Sequence, residues 1–103
     1  MIEADAVLQA LGDPTRRAIF DRLARGPVSV SQLAGPLGVT VTAVAQHMAV
    51  LEACGLARSH KTGRVRTCAV ATDGLDVLAR WIENKRPPLE RALDRLGDLL
   101  DEA

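Results

Sequence analysis

Residues 29–68 read SVSQLAGPLGVTVTAVAQHMAVLEACGLARSHKTGRVRTC, and this segment predicts two helices joined by a tight turn and followed by a β-hairpin. Ser29 and Gln32 have the spacing of a capping box, so the first of these helices is expected to begin near Ser29. Gly38 supplies a turn residue with positive φ, and Thr40 can cap the second helix. A helix held in this way against its predecessor can enter the major groove of DNA, which is the pattern of a helix-turn-helix.

The second helix of this pair is predicted to have two different faces. Apolar side chains at three- and four-residue steps predict its core stripe: Val41, Val44, Met48 and Leu51. The opposite face and its margin supply the candidates for contacts with DNA bases: Thr42, Ala43, Gln46 and His47. Glutamine can pair with adenine through two hydrogen bonds, and the threonine methyl group can contact thymine. An ordinary solvated helix face is the alternative reading of these residues.

The hairpin is predicted to consist of strands 56–62 and 64–70 about Thr62-Gly63. It carries Arg58, Lys61, Arg64 and Arg66, with no acidic residue between Gly55 and Thr72. These cations are candidates for phosphate contacts, and the one at the tip, Arg64, for the minor groove. Lysine and arginine also protect exposed strand edges from pairing, which is the alternative explanation. Because no Lys or Arg lies between residues 26 and 57, the remaining phosphate contacts are assigned to Arg16, Arg17 and Thr40.

The rest of the chain predicts further helices around this centre. Residues 4–11 form the first helix, Asp13-Pro14 caps and opens the second, and Val28–Val30 can add a very short strand. Leu75, Leu78, Trp81 and Ile82 mark a fifth helix, and Pro87-Pro88 opens a sixth. The expected fold is mainly α with a small β-hairpin, a single winged helix-turn-helix domain over residues 1–103. Its elements follow the order α1-α2-(β1)-α3-α4-β2-β3-α5-α6.

Composition narrows the functional classes. Only two aromatic residues, Phe20 and Trp81, occur in 103 residues, which argues against single-strand binding by stacked bases. No clustered acid–base pair, activated nucleophile or phosphate-cradling glycine loop is present in the sequence, so we expect no enzyme activity. We expect a cytoplasmic protein, because the sequence shows neither a membrane span nor a signal peptide.

The two cysteines, Cys54 and Cys68, allow two interpretations. In a chain without a secretion signal they are expected to be thiols that fill apolar space. The alternative is a thiol switch, which would need Cα atoms within roughly 7 Å and a lowered thiol pKa.

Several segments carry a known family pattern: LGDPTRR at residues 11–17, SQLA at 31–34 with Leu37-Gly38, VAQHMAVL at 44–51, Gly55-Leu56, and the hairpin sequence GRVR at 63–66. Together they resemble the ArsR/SmtB family of bacterial winged helix-turn-helix repressors. The resemblance implies a homodimer, built from the first and last helices, that binds operator DNA near promoters. On this basis dimerisation is assigned to residues 1–12 and 74–103, with these apolar candidates: Val7, Leu8, Leu11, Trp81, Leu89, Leu93, Leu96 and Leu100.

Three departures from the family pattern bear on function. Metal-sensing members carry a Cys-x-Cys pair where this chain has Ser29 and Ser31, and a second family site needs a histidine on the helix after the hairpin, which is missing here. We therefore expect no metal and no other cofactor, as in a metal-independent branch. Members also often carry a basic residue in the middle of the recognition helix, where this chain has Ala45-Gln46.

Two hypotheses follow. The first is a homodimeric, sequence-specific repressor that binds double-stranded DNA. The second is a winged-helix module for protein interaction and dimerisation with little DNA binding, which the zero net charge would favour.

Overall fold

Local capping interactions define the centre of the fold. The Ser29 hydroxyl accepts a hydrogen bond from the Gln32 backbone N–H at 3.2 Å, and the Ser29 N–H donates to the Gln32 side chain at 3.1 Å. The predicted capping box is therefore confirmed. Gly38 ends this helix with a φ of 65°, and the Thr40 hydroxyl accepts from the Ala43 N–H at 3.0 Å to begin the next one. The two helices meet at 111°, within the usual range of a helix-turn-helix.

The structure is a computed structural model that describes residues 1–102. Its elements in chain order are α1 (Ala4–Gly12), α2 (Pro14–Leu23), β1 (Val28–Ser29), α3 (Val30–Leu37), α4 (Val41–Ala53), β2 (Ala57–Thr62), β3 (Val65–Val70) and α5 (Asp73–Asp101). The predicted winged helix-turn-helix order is confirmed up to the end of the hairpin, including the short first strand.

The three strands form an antiparallel sheet in the order β1-β3-β2. Val28 of β1 pairs with Cys68 of β3, which ties the segment before α3 to the hairpin. The last pair of the hairpin is Thr62 with Val65, so Gly63 and Arg64 form a two-residue turn. Gly63 has a φ of 61° at the first turn position, where two-residue hairpins of one common type need glycine. We refer to residues 57–70 as the wing.

The core lies between α1–α4 and the inner face of the sheet. Its fully buried side chains include Val7, Ile19, Leu23, Val44, Leu51, Leu56 and Cys68. The predicted core stripe of α4 is confirmed for Val44, Met48 and Leu51 and wrong for Val41, which is 51% exposed. Val41 occupies the first turn of α4, at the edge of the cleft described below, where no core element covers it.

The first helix does not leave all three of its dimer candidates exposed. Val7 and Ala10 are buried and Leu11 is half-buried, whereas Leu8 is 41% exposed. Val7 is therefore a core residue of the protomer, and its assignment to a dimer contact is wrong because no side-chain surface is left for a partner.

The predicted break between a fifth and a sixth helix is also wrong, because α5 continues for 29 residues through Pro87 and Pro88. Prolines at these positions cannot donate to the carbonyls of Glu83 and Asn84. Both of those residues are exposed, so water can reach the two carbonyls. The whole of residues 81–100 is exposed, and the longest dimension of the molecule is 68 Å. The second half of α5 thus has little packing within its own protomer.

A close backbone contact fixes the start of α5. The Gly74 N–H donates to the Gly55 carbonyl at 2.8 Å, and a Cβ atom at Gly74 would collide with the Cys54 carbonyl. Gly55 itself has a φ of 73°, a value that favours glycine. Over residues 1–102 no single helix is long and apolar enough to cross a membrane, although the strongly bent pair α3 and α4 reaches that length and composition together.

Candidate nucleic-acid interface

The outward face of α4 presents Thr42 and Gln46 to solvent, as predicted, with Ala45 and Ala49 beside them. Two further base-contact candidates, Ala43 and His47, are half-buried. Thr42 and Gln46 are one helical turn apart, so their side chains lie above one another on the same face. The surface available for base edges is thus small and mostly apolar, with one amide and one hydroxyl group.

His47 lies near the start of α2, where Asp13 caps the helix by accepting a hydrogen bond from the Arg16 N–H at 2.9 Å. This backbone hydrogen bond holds the pKa of Asp13 below its usual value, and the positive charge of Arg16 and the proximity of the His47 ring act in the same direction. His47 therefore has a carboxylate neighbour within its own protomer.

Arg16 and Arg17 connect α2 to the end of α1. The Arg16 side chain donates through Nε to the Ala10 carbonyl at 2.8 Å and through Nη2 to the Gln9 carbonyl at 3.1 Å. Arg17 donates through Nη1 to the Leu11 carbonyl at 2.7 Å. Carbonyls at the end of a helix lack partners within it, so these arginines cap α1. This capping role of Arg16 and Arg17 was not predicted from the sequence.

The four basic side chains of the wing differ in what they contact. Arg58 forms an ion pair with Asp73 at 3.7 Å, in which both side chains are well exposed, and Arg66 donates to the Ser59 hydroxyl at 3.4 Å. Within residues 1–102 neither Lys61 nor Arg64 has a side-chain hydrogen bond or an ion pair. Charge at the far end of the wing is therefore available for phosphate, while the charge of Arg58 at its base is partly balanced.

A cleft of about 300 Å³ separates α4 from the wing. Its lining residues are Val30, Ser31, Val41, Ala45, Lys61, Arg64, Val65 and Arg66. Val41 and Val65 are 51% and 52% exposed, so apolar side chains face the cleft from both walls. Four of these lining residues were not among the contact candidates predicted from the sequence: Val41, Ala45, Val65 and Ser31. The position of Val41 directly after the N-cap was the available signal, because the first turns of such helices approach base edges.

The surface predicted to form a dimer is apolar and exposed over most of its length. Leu89, Leu93, Leu96 and Leu100 are 61%, 66%, 52% and 66% exposed, and Trp81 is 39% exposed. The Lys85 ammonium group lies 5.5 Å from the centre of the Trp81 ring. A cavity of about 630 Å³ at the start of α1 and α5 continues this surface, with Ile2, Val77 and Trp81 among its walls.

The two cysteines are buried, at 3% exposed for Cys54 and 0% for Cys68. Burial raises the pKa of both thiols, which lowers the thiolate fraction and therefore their reactivity. Both observations favour the packing interpretation over a thiol switch.

No group of three or more His, Cys, Asp or Glu side chains in the described part of the chain is arranged to hold a metal ion. Ser29, at the position of a family metal ligand, is used as a helix cap.

Comparisons with known proteins agree with this architecture. A family model described as a helix-turn-helix domain matches residues 11–60. The HTH-type transcriptional regulator Rv2034 of Mycobacterium tuberculosis is 43% identical over 97 residues, which cover 94% of this chain and 88% of that protein. The crystal structure of the ArsR family transcriptional regulator RHA00566 is 41% identical with a TM-score of 0.78, covering 84% of this chain and 89% of that one.

A third similar protein is Mb0332 of Mycobacterium bovis, described as a homodimeric winged helix-turn-helix DNA-binding domain and a possible ArsR-family regulator. Its solution structure is 25% identical with a TM-score of 0.62, covering 88% of this chain and 82% of that one.

Proposed function

Because the chain belongs to the ArsR family of winged helix-turn-helix transcriptional regulators, which bind DNA, we propose that it acts as a homodimeric repressor at promoter operators. In this proposal α4 lies in the major groove, where Gln46 and Thr42 read base edges. The tip of the wing holds the sugar-phosphate backbone through Lys61 and Arg64, and Arg64 reaches toward the adjacent minor groove.

One observation carries the proposal. An exposed helix face with hydrogen-bonding groups lies next to a hairpin whose tip has two cations without partners in the described residues. Base edges need directional donors and acceptors, whereas phosphate needs positive charge, and the molecule presents the two on adjacent elements. Arg16 and Arg17 leave the set of phosphate contacts in this proposal, because their guanidinium groups cap α1.

Dimerisation would pair the DNA-binding surfaces of two protomers through the exposed apolar half of α5. The heptad-like steps of Leu89, Leu93, Leu96 and Leu100 leave one apolar seam along the unpacked half of α5. The description of Mb0332 as homodimeric supports a dimer of this chain. A two-fold axis would place the two α4 helices about 34–36 Å apart, so that they enter successive major grooves on one side of the duplex. The expected operator is an inverted repeat.

The experiment selects bound fragments from random duplex DNA and then measures affinity for the selected sequence over a range of salt concentrations. Arg64→Ala is expected to weaken binding to every sequence and to reduce the slope of log Kd against log salt by about one per protomer. Gln46→Ala is expected to reduce discrimination at an A·T pair by about 1–3 kcal/mol. Arg25→Ala, an exposed arginine after α2 that lies outside α4, the wing and the dimer segments, is the matched control and should change neither quantity.

Weak duplex binding whose affinity does not depend on salt concentration would contradict the proposal and favour the protein-interaction module instead. Independence from metal is also part of the proposal, because Ser29 serves as a cap at a family ligand position. It is tested by comparing operator affinity after dialysis against a chelator and after addition of Zn²⁺. A large difference between the two would contradict it.

A further inference from the structure

The cleft between α4 and the wing combines apolar walls with positive charge. Val41 and Ala45 form the α4 wall and Val65 contributes to the opposite one, while Lys61 and Arg66 lie among its lining residues. Isolated apolar side chains on a protein surface need no explanation, whereas three that line one cleft beside cations suit an occupant with matching chemistry. Charge complementarity identifies that occupant as anionic with an apolar group.

The position of the cleft relative to the base-reading face follows from helix geometry. Val41 and Ala45 are four residues apart and share one side of α4. Thr42 and Gln46 each follow one residue later, so they are rotated by about 100° around the helix axis. When Thr42 and Gln46 face the floor of the major groove, Val41 and Ala45 face the DNA strand on the wing side.

The chemistry of that strand matches the cleft. The C5 methyl group of thymine is the one apolar group that standard bases present in the major groove, and it projects on the side of its own strand's backbone. The phosphates of the same strand can be held by the wing cations. Guanine, in contrast, is usually read by a bidentate arginine or lysine, and α4 has neither.

We propose that the cleft holds one DNA strand with thymine methyl groups against Val41 and Ala45, so that each half-site requires thymine at one or two positions on the wing side. This inference rests on the proposed function, because it specifies which bases the same interface selects. It adds apolar readout by Val41 and Ala45 to the hydrogen-bonding readout by Gln46.

The test uses the selected operator and replaces single thymines by deoxyuridine, which removes the methyl group and leaves base pairing intact. Burial of one methyl group corresponds to about a fourfold change in Kd. We expect that replacing one thymine at one or two positions of each half-site raises the Kd about fourfold. Replacing the symmetric thymines in both half-sites should raise the Kd about 15-fold.

A variant with Val41→Ser and Ala45→Ser should bind thymine and deoxyuridine operators equally. Both positions are exposed, so circular dichroism is expected to show an unchanged fold. Val70→Ser is the matched control, because Val70 is also an exposed valine but pairs with Ala57 at the end of the wing away from its tip and does not line the cleft. This control should keep the full sensitivity to deoxyuridine.

The outcomes separate this inference from the function on which it rests. Salt-dependent operator binding that no deoxyuridine weakens would overturn the thymine contact and leave the DNA-binding function intact. Sensitivity that persists in the Val41→Ser, Ala45→Ser variant would also overturn it. Absence of any duplex binding would overturn both.

Discussion

Leu93→Ala tests whether the exposed half of α5 is the dimer seam. Leu93 is 66% exposed in the protomer and lies in the middle of the leucine series. The change removes three carbon groups, each worth about 0.8 kcal/mol when fully buried. If the partner covers the exposed two thirds of the side chain, the loss is about 1.6 kcal/mol per protomer and about 3 kcal/mol per two-fold symmetric dimer. The dimer dissociation constant should therefore rise about 200-fold.

The chain provides a matched control for this measurement. Leu99 is 65% exposed, so it is the same residue type with nearly the same exposure. It is rotated by about 100° from Leu100 and by about 60° from Leu96, so it lies beside the seam and not in it. Leu99→Ala is expected to change the dissociation constant by less than about fivefold. Sedimentation equilibrium over a wide range of protein concentrations measures all three proteins.

A Leu93→Ala protein that dimerised as tightly as the unmodified chain would refute the assigned seam. So would a Leu99→Ala protein whose dimer was weakened to the same extent. The second result would show that the apolar surface associates without a defined register. Weaker dimerisation should also weaken operator binding at low protein concentration, because both half-sites must then be filled by separate protomers.

Three further predictions concern stability, each measured by urea unfolding. Arg16→Ala should lower the free energy of unfolding by about 1–3 kcal/mol, because the carbonyls at the end of α1 lose a charged donor. The slope of operator affinity against salt should not change, because a capping arginine does not contact phosphate. A reduced slope would contradict the capping role. Gly74→Ala should lower the free energy of unfolding by about 1–3 kcal/mol, because the added Cβ atom collides with the Cys54 carbonyl. Gly97→Ala in the same helix is the control: its Cβ atom would meet nothing within 4 Å, so the change should be neutral or stabilise by up to about 1 kcal/mol. Equal effects of the two changes would contradict the role of the close contact at Gly74. Burial raises the pKa of Cys54 and Cys68, so the two thiols favour the folded state only while they are protonated. Their contribution to the free energy of unfolding should be fully present below the pKa of an unfolded thiol, about 8.5, and should be lost as the pH rises toward the folded pKa values. Replacing both cysteines by alanine should flatten this alkaline loss of stability, and an unchanged dependence of stability on pH would contradict the prediction.

Interactions between residues that are close in the sequence could be predicted from the sequence alone. The Ser29–Gln32 capping box, the Thr40 cap and the Asp13-Pro14 start of α2 each depend on residues within three positions of one another, and all are present in the structure. The wing and the order of elements were predicted for the same reason, since strand alternation and turn residues are local signals. The family assignment agrees with the comparisons because it rested on several such segments together.

Errors arose where one element decides the surroundings of another. Val41 fits the apolar period of α4, but the core ends before its first turn, and the residue lines the cleft instead. Periodicity describes which side chains share a face and not where the neighbouring elements stop. The prolines at 87 and 88 predicted a break, yet α5 continues because its freed carbonyls are open to water.

The sequence by itself determined the helix-turn-helix, the basic wing and the membership in a family of DNA-binding regulators, because these depend on short-range patterns of capping, polarity and charge. Tertiary structure alone decided which charges are available. Arg16 and Arg17 turn back to cap α1 and Arg58 pairs with Asp73, whereas Lys61 and Arg64 remain at the tip of the wing. It also placed Val41 and Ala45 opposite Val65 across one cleft, since distant residues meet only when the packed core brings their elements together.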